Sequence, residues 1–146
     1  MKIEIRIEEG CTEPKLVIVT DRVTDEINGM MKMLSGEQSP VIAGFCDDRV
    51  TVLNPDRIAR IYASGGKVYA ESEDGTYLLR QRLYEMEQRL APRSFVRISN
   101  SEIIHLKMVR GFDLSFAGTI RVSLSSGTVT YVSRRYVAKI KQVLGI

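Results

Sequence analysis

Residues 94–106 read "SFVRISNSEIIHL", and the reading of this stretch decides the rest of the chain. Phe95-Val96-Arg97-Ile98 is a short strand-like run. It breaks into Ser99-Asn100-Ser101 and resumes as an apolar segment around Ile103, Ile104 and Leu106. Ser99 and Glu102 have the spacing of a capping box, in which an N-cap hydroxyl and an N3 carboxylate each satisfy a free backbone N–H. On that reading a helix starts after Ser99 and Asn100 takes its first position. An amide there points outward with a donor and an acceptor to offer, the pair that reads adenine in a DNA groove. The plain alternative is a turn asparagine with no partner.

Working outward, "IRVSLSSGTVTYV" (120–132) reads as a hairpin about Ser126-Gly127. It runs into "SRRYVAKIKQVLG" (133–145), a helix with Ser133 as its cap and Val137, Ile140 and Leu144 inward. Upstream, "KVYAESEDGTYLL" (67–79) is a hairpin with Asp74-Gly75 at its turn, where glycine tolerates positive φ. It too runs into a helical pattern, with Leu79, Leu83, Met86 and Leu90 on one stripe ended by Pro92. Hairpin-then-helix thus occurs twice, a repeat of architecture with too long a period for a solenoid. "VIAGF" (41–45), "RVTVL" (49–53) and "IARIYAS" (58–64) are further short strands.

The first 45 residues have their own pattern. "KIEIRI" (2–7) alternates strictly, and "KLVIVT" (15–20) is also strand-like. Thr24 then caps a helix whose Ile27, Met30, Met31 and Leu34 fall at core-packing spacing, with Gly36 and Pro40 as its stop. Gly36–Pro40 is the one linker-like stretch. The expectation is a mainly β (α+β) protein with a β-β-α extension over residues 1–45 and a second unit over 46–146.

The 146 residues, 44% hydrophobic with a mean hydropathy of −0.08, suit one ordinary globular domain. No apolar run approaches the roughly 20 residues of a membrane span, and the alternating start is unlike a signal peptide, so a cytoplasmic protein is expected. Cys11 and Cys46 lack CxxC spacing and read as two reduced thiols. Charge is uneven. Residues 1–50 carry 6 Lys+Arg against 10 Asp+Glu, 51–92 carry 6 against 6, and 93–146 carry 9 against 2. The net charges of −4, 0 and +7 sum to the overall +3. A basic end of this kind points to a polyanion partner, or to nothing more than a solvated surface.

Catalysis finds little support. The single histidine, His105, lies in the mostly apolar "EIIHLKMV" and reads as a half-buried side chain with one satisfied nitrogen. HExxH, GxSxG, Walker and GxGxxG patterns are absent from the sequence. Glu8-Glu9 and Asp47-Asp48 sit in turn-like stretches and read as solvated acids. Binding is better supported. Arg134 and Arg135 fall in the first turn of the last helix, where the positive end of the dipole disfavours cations by a few tenths of a kcal/mol each. A phosphate-bearing partner reverses that sign, since free N–H groups and arginine forks both suit phosphate or a guanine edge. Lys139 and Lys141 extend the basic face.

In order and spacing, "FVRISNSEIIHL", "LSSGTVTYVSRRYVAKIKQVLG" and "LNPDRIARIYASGGKVYAESEDG" resemble the LytTR-type DNA-binding domain, the output module of many bacterial transcription regulators. The similarity spans about residues 46–146 and implies an elongated fold of small antiparallel sheets with short helices. Loops and helix N-termini, rather than a recognition helix, then enter successive major grooves. Carried over by position, base-reading places fall near Gly66 or on Lys67, on Asn100 and on Arg135. Backbone-contacting places fall on Arg97, Ser101 and Arg134, with Lys139 beside them. His105 stands where the family usually has asparagine, and "SGGK" lacks the family's usual histidine or arginine. The resemblance implies double-stranded DNA with repeated half-sites as the partner, a homodimer, no enzymatic activity, no cofactor and no metal. The first 45 residues are too few for the receiver domain of many members, and serve dimerisation, packing or sensing. The rival reading is a protein-interaction module whose basic end meets an acidic protein. RNA binding is the weaker third, since four Phe and six Tyr form no RNP-like pattern.

Overall fold

The computed structural model describes residues 1–35 and 41–146, and the linker-like Gly36–Pro40 lies outside them. Helix α1 (Asp25–Ser35) comes first. Strands β1 (Ile42–Cys46), β2 (Arg49–Leu53), β3 (Ile58–Ser64), β4 (Lys67–Ser72) and β5 (Gly75–Leu79) lead into α2 (Leu83–Leu90). Strands β6 (Phe95–Ser99), β7 (Glu102–His105), β8 (Val109–Asp113), β9 (Ile120–Leu124) and β10 (Val129–Val132) lead into α3 (Arg134–Leu144). The described strands form two antiparallel sheets, one ordered β2-β1-β5-β4-β3-β7-β6 and one ordered β10-β9-β8. The α+β, mainly β class is as expected, and both hairpins do run into helices.

The apolar run Ile103-Ile104-His105 is strand β7, not the body of a helix. The cause is burial on two faces. Side chains alternate across a strand, so Ile103 joins Ile58, Ile61, Phe95, Met86 and Leu90 in one core beneath α2. Ile104 joins Ala59, Ile98, Val122, Val132 and Ile140 in a second core, covered by the three-stranded sheet and α3. A strand buried on both sides has no polar face and its sequence reads as a continuous apolar run. The capping box therefore does not form. Asn100 and Ser101 are instead a hairpin turn between β6 and β7, with a register shift between Arg97 and Ser99. The Ser99 hydroxyl accepts from the Ser101 N–H at 3.2 Å, closing the turn locally.

His105 is buried outright rather than half-buried, because β7 lies between both cores. Its ring stacks on Phe95 at 4.2 Å between centroids, and Nδ1 donates to the Ile58 carbonyl at 2.9 Å. A carbonyl only accepts, so Nδ1 carries the proton and Nε2 stands as a buried acceptor without a partner among the described residues. Burial pushes the imidazole below its usual 6.5, against the opposing pull of the Ile58 carbonyl.

The N-terminal part departs from expectation. The Thr24 hydroxyl does cap α1, accepting the Ile27 N–H at 3.3 Å. The apolar stripe of α1 is only partly covered, however: Ile27 and Met30 are half-buried, Met31 and Leu34 are 54% and 57% exposed, and only Gly29 is buried. Gly29 allows the contact with α2, since a side chain there would collide with Gln88, whose Nε2 donates to the Glu26 carbonyl at 3.1 Å. Runs 2–7 and 15–20 pair with no strand among the described residues, and Ile3, Ile5 and Ile7 are 82%, 90% and 92% exposed. Two strands alone are marginal in water, and nothing described in this chain supplies the third element they need. At the other end of the extension, buried Ile42 and strand β1 belong to the large sheet, so that sheet begins before residue 46.

Candidate nucleic-acid interface

Two hairpin turns and one helix start meet at one end of the large sheet. Strand β3 returns into β4 through Gly65-Gly66, with Ser64 opposite Lys67 and φ values of +58° and +78°. A two-residue turn with both central φ positive is the tight hairpin that matches strand twist, and glycine is the residue that adopts it freely. Lys67 is thereby set, exposed, at the tip of a rigid hairpin. Strand β3 also pairs with β7, placing Tyr62 opposite Glu102, and the Ala63 N–H donates to the Ser101 carbonyl at 2.8 Å. The turn bearing Asn100 is thus bonded directly to the hairpin bearing Lys67.

The start of α3 reaches the same place. The Ser133 N–H donates to the Ile98 carbonyl at 2.9 Å, tying the helix entry to β6. Ser133 has the extended φ of −68° and ψ of 153° of an N-cap, yet its hydroxyl makes no capping bond. Its carbonyl accepts the Tyr136 N–H at 2.9 Å, and the helix start lacks the side-chain oxygen expected to cap it. Arg135 Nη1 lies 3.5 Å from Asn100 Oδ1, so two of the sequence-chosen residues touch although 35 positions apart. Arg134 lies over the loop before β9, its Nε 3.0 Å from where a Cβ would stand on Gly118. Neither Arg134 nor Arg135 has an acidic partner among the described residues.

Arg97 sits differently from the other basic residues. Its side chain is 13% exposed, and its guanidinium makes three bonds inside the chain. Nε donates to the Ser99 carbonyl at 2.7 Å, Nη2 to the Asn100 carbonyl at 2.6 Å, and Nη1 to Glu87 Oε1 at 2.9 Å. Charge-assisted bonds of this length fix a turn firmly. Arg97, expected at a phosphate, thus commits donors from all three guanidinium nitrogens inside the chain, two on its own turn and one on Glu87 of α2. Glu87, which sequence reasoning passed over, takes Lys139 Nζ at 3.8 Å on its other oxygen. It sits on α2 where only the tertiary fold brings it under both cations.

A second set missed in the sequence holds the two sheets together. Arg60 donates to Glu71 Oε2 at 2.8 Å and to Glu102 Oε2 at 3.4 Å. The Thr128 hydroxyl donates to Glu71 Oε1 at 2.7 Å and that of Thr130 to Glu102 Oε1 at 2.8 Å. Strand β10, which leads into α3, is thereby held against the large sheet that bears the Asn100 turn. The signal was readable in part: a two-residue turn at Gly65-Gly66 puts residue 60 opposite residue 71, the observed register.

Comparison with known proteins bears on the family and the fold. The family model described as "LytTr DNA-binding domain" matches residues 48–145. An uncharacterized HTH-type transcriptional regulator of Staphylococcus aureus strain NCTC 8325 / PS 47 is 29% identical over 147 residues, covering 100% of this chain and 99% of its own. A like-named protein of strain MW2 matches to the same extent. Both alignments run through the N-terminal residues that the family model omits. The LytTr DNA-binding domain of a Bacillus cereus protein, described as a methyl-accepting/DNA response regulator, has the same fold with a TM-score of 0.70 and 22% identity. It covers 75% of this chain and 100% of its own length. The three α-helices described here are separated in the chain by strands, and the contact of α1 with α2 is not made across the short turn of a helix-turn-helix. None of the described helices is long and apolar enough to cross a membrane.

Proposed function

The chain belongs to the LytTR family of DNA-binding domains, and on that premise we propose that it is a bacterial transcription regulator that reads double-stranded DNA with two turns and one helix start. The single observation that carries the reading is the contact between Asn100 and Arg135 at the uncapped start of α3. Asparagine reads adenine through paired donor and acceptor, and arginine reads guanine through its fork. Side by side, the two address neighbouring bases in one major groove. Lys67, at the tip of the adjoining hairpin, addresses the next part of the site. Arg134, Lys139 and the exposed hydroxyl of Ser101 hold phosphates, helped by the free N–H groups of the helix start.

Arg97 acts at one remove in this account, holding the turn that aims Asn100. Residues from Ile42 onward form the binding unit, and two copies act together on repeated half-sites in the cytoplasm. The test is selection of bound duplexes from random DNA with the full chain. Enrichment of a repeated motif with a fixed spacing is the expected result. Duplex binding that stays absent even at low salt would overturn the reading and favour an acidic protein partner for the basic end.

A further inference from the structure

Exposed apolar residues of this chain are densest over residues 1–35, and in the N-terminal arm they form a pattern that does not suit solvent. Residues 2–8 place Ile3, Ile5 and Ile7 on one side and Lys2, Glu4, Arg6 and Glu8 on the other. Lys2 meets Glu4 at 3.1 Å and Arg6 meets Glu8 at 3.6 Å, contacts between alternate residues that fit an extended backbone. All three isoleucines are exposed, and the arm has no strand partner among the described residues. Such an edge calls for another strand.

We propose that this arm pairs with the same arm of a second copy of the chain, antiparallel and centred on Ile5. In that register Lys2 faces Glu8 of the second copy and Glu4 faces its Arg6. Ile3 faces Ile7, and Ile5 meets Ile5 on the two-fold axis. Every charged pair is then of opposite sign, as a self-complementary two-fold contact demands. Sliding by two residues one way sets Lys2 against Arg6 and Glu4 against Glu4. Sliding by two the other way sets Glu4 against Glu8 and Arg6 against Arg6. A slide of one residue puts isoleucine opposite charge, and parallel pairing in register sets each charge on its like. One register alone keeps all four charges satisfied, and the sequence contains both halves of it.

A second copy is favoured over a foreign strand because this complementarity is to the arm itself. The chain can also turn back after the arm. The Cys11 N–H donates to the Glu8 carbonyl at 3.3 Å, and Gly10 has a φ of +88°. The strand-patterned run 15–20, with Leu16, Val17 and Val19 exposed, would thus flank residues 2–8, and two copies supply four strands where one supplies two. The exposed Met31 and Leu34 of α1 lie later in the same extension and offer apolar surface for the sheet's isoleucine face. This names a surface for the paired protomers of the preceding section, and rests on that section only for the use of the pair on DNA.

The test uses the full chain without DNA. Sedimentation equilibrium gives the dimer constant of the native chain, of Arg6→Glu, and of a chain with its arm inverted by Lys2→Glu, Glu4→Lys, Arg6→Glu and Glu8→Lys. Arg6→Glu turns two attractive pairs into repulsive ones and is expected to weaken dimerisation at least tenfold. The inverted arm keeps every opposite-sign pair with itself, so it is expected to dimerise as the native chain does. Mixed with the native chain it meets like charge at all four positions, and differently tagged samples should not exchange. A native chain that stays monomeric, an Arg6→Glu chain that dimerises undiminished, or free exchange between native and inverted chains would each overturn the proposal. None of these outcomes bears on duplex binding by a single copy, which is measured separately.

Discussion

Replacing Arg97 with alanine separates two accounts of how the Asn100 turn works. If the arginine held a phosphate, its loss would weaken all duplexes alike and flatten the salt dependence by about one unit of slope. The structure points elsewhere. Three bonds of 2.6 to 2.9 Å run from its guanidinium to two turn carbonyls and one carboxylate, in a side chain only 13% exposed. Hydrogen bonds to charged groups contribute roughly 1.5–3 kcal/mol each, and three sharing one side chain are far from additive. The half-buried Ser99 carbonyl loses its guanidinium donor, while the exposed Asn100 carbonyl regains water. A net loss of about 2–3 kcal/mol follows, or roughly 10 °C in melting temperature for a chain of this size. Binding should change in kind. With its turn loosened, Asn100 no longer holds its aim, so preference at one base pair relaxes while the salt slope stays where it was. Thermal melts, salt titrations and binding to single-base variants of the selected site test this together. An unchanged melt with uniform weakening and a shallower slope would refute the holding role and restore the phosphate contact.

Asn100→Ala and Arg135→Ala should each cost about 1–3 kcal/mol of binding and relax preference at one base pair, an adenine and a guanine respectively, in the same single-base matrix. Neither should lower the melt much, because both side chains are exposed. The two cations assigned to phosphates, Arg134 and Lys139, contribute a log-log salt slope of roughly −2 per bound copy, checked by anisotropy titrations of the native chain and the Arg134→Ala and Lys139→Ala variants on a single half-site. Stability should fall on acidification below about pH 6.5 and level off above it. The folded imidazole of His105 is pushed below its ordinary value, so the unfolded chain takes up the proton first. Denaturant midpoints from pH 7.5 to 5.5 should show this fall in the native chain and a smaller one in His105→Asn, whatever the absolute cost of that change.

Much of this protein was legible in its sequence because much of it is local. Glycine-bearing turns marked the β4–β5 and β9–β10 hairpins, helical stripes marked α2 and α3, and the charge gradient pointed to the basic end. The order of motifs was enough to indicate the family, and Asn100 and Arg135 were both singled out for the chemistry of their side chains. What the sequence could not decide depended on neighbours distant along the chain. "SEIIHL" carries a capping-box spacing and an apolar run, and either a helix or a strand buried on two faces would satisfy both. Only the placement of α2 on one side and the small sheet with α3 on the other makes it a strand, turning Asn100 from a helix residue into a hairpin turn. Arg97 carries the same charge as Arg134, yet Glu87 and two turn carbonyls surround one and not the other. The alternation of residues 2–7 is a strand's alternation, but a strand needs a partner to bond to, and the described chain supplies none. Side-chain type and spacing are properties of the sequence. Which groups are removed from water, and which are left free to meet a partner, is decided only when distant segments pack.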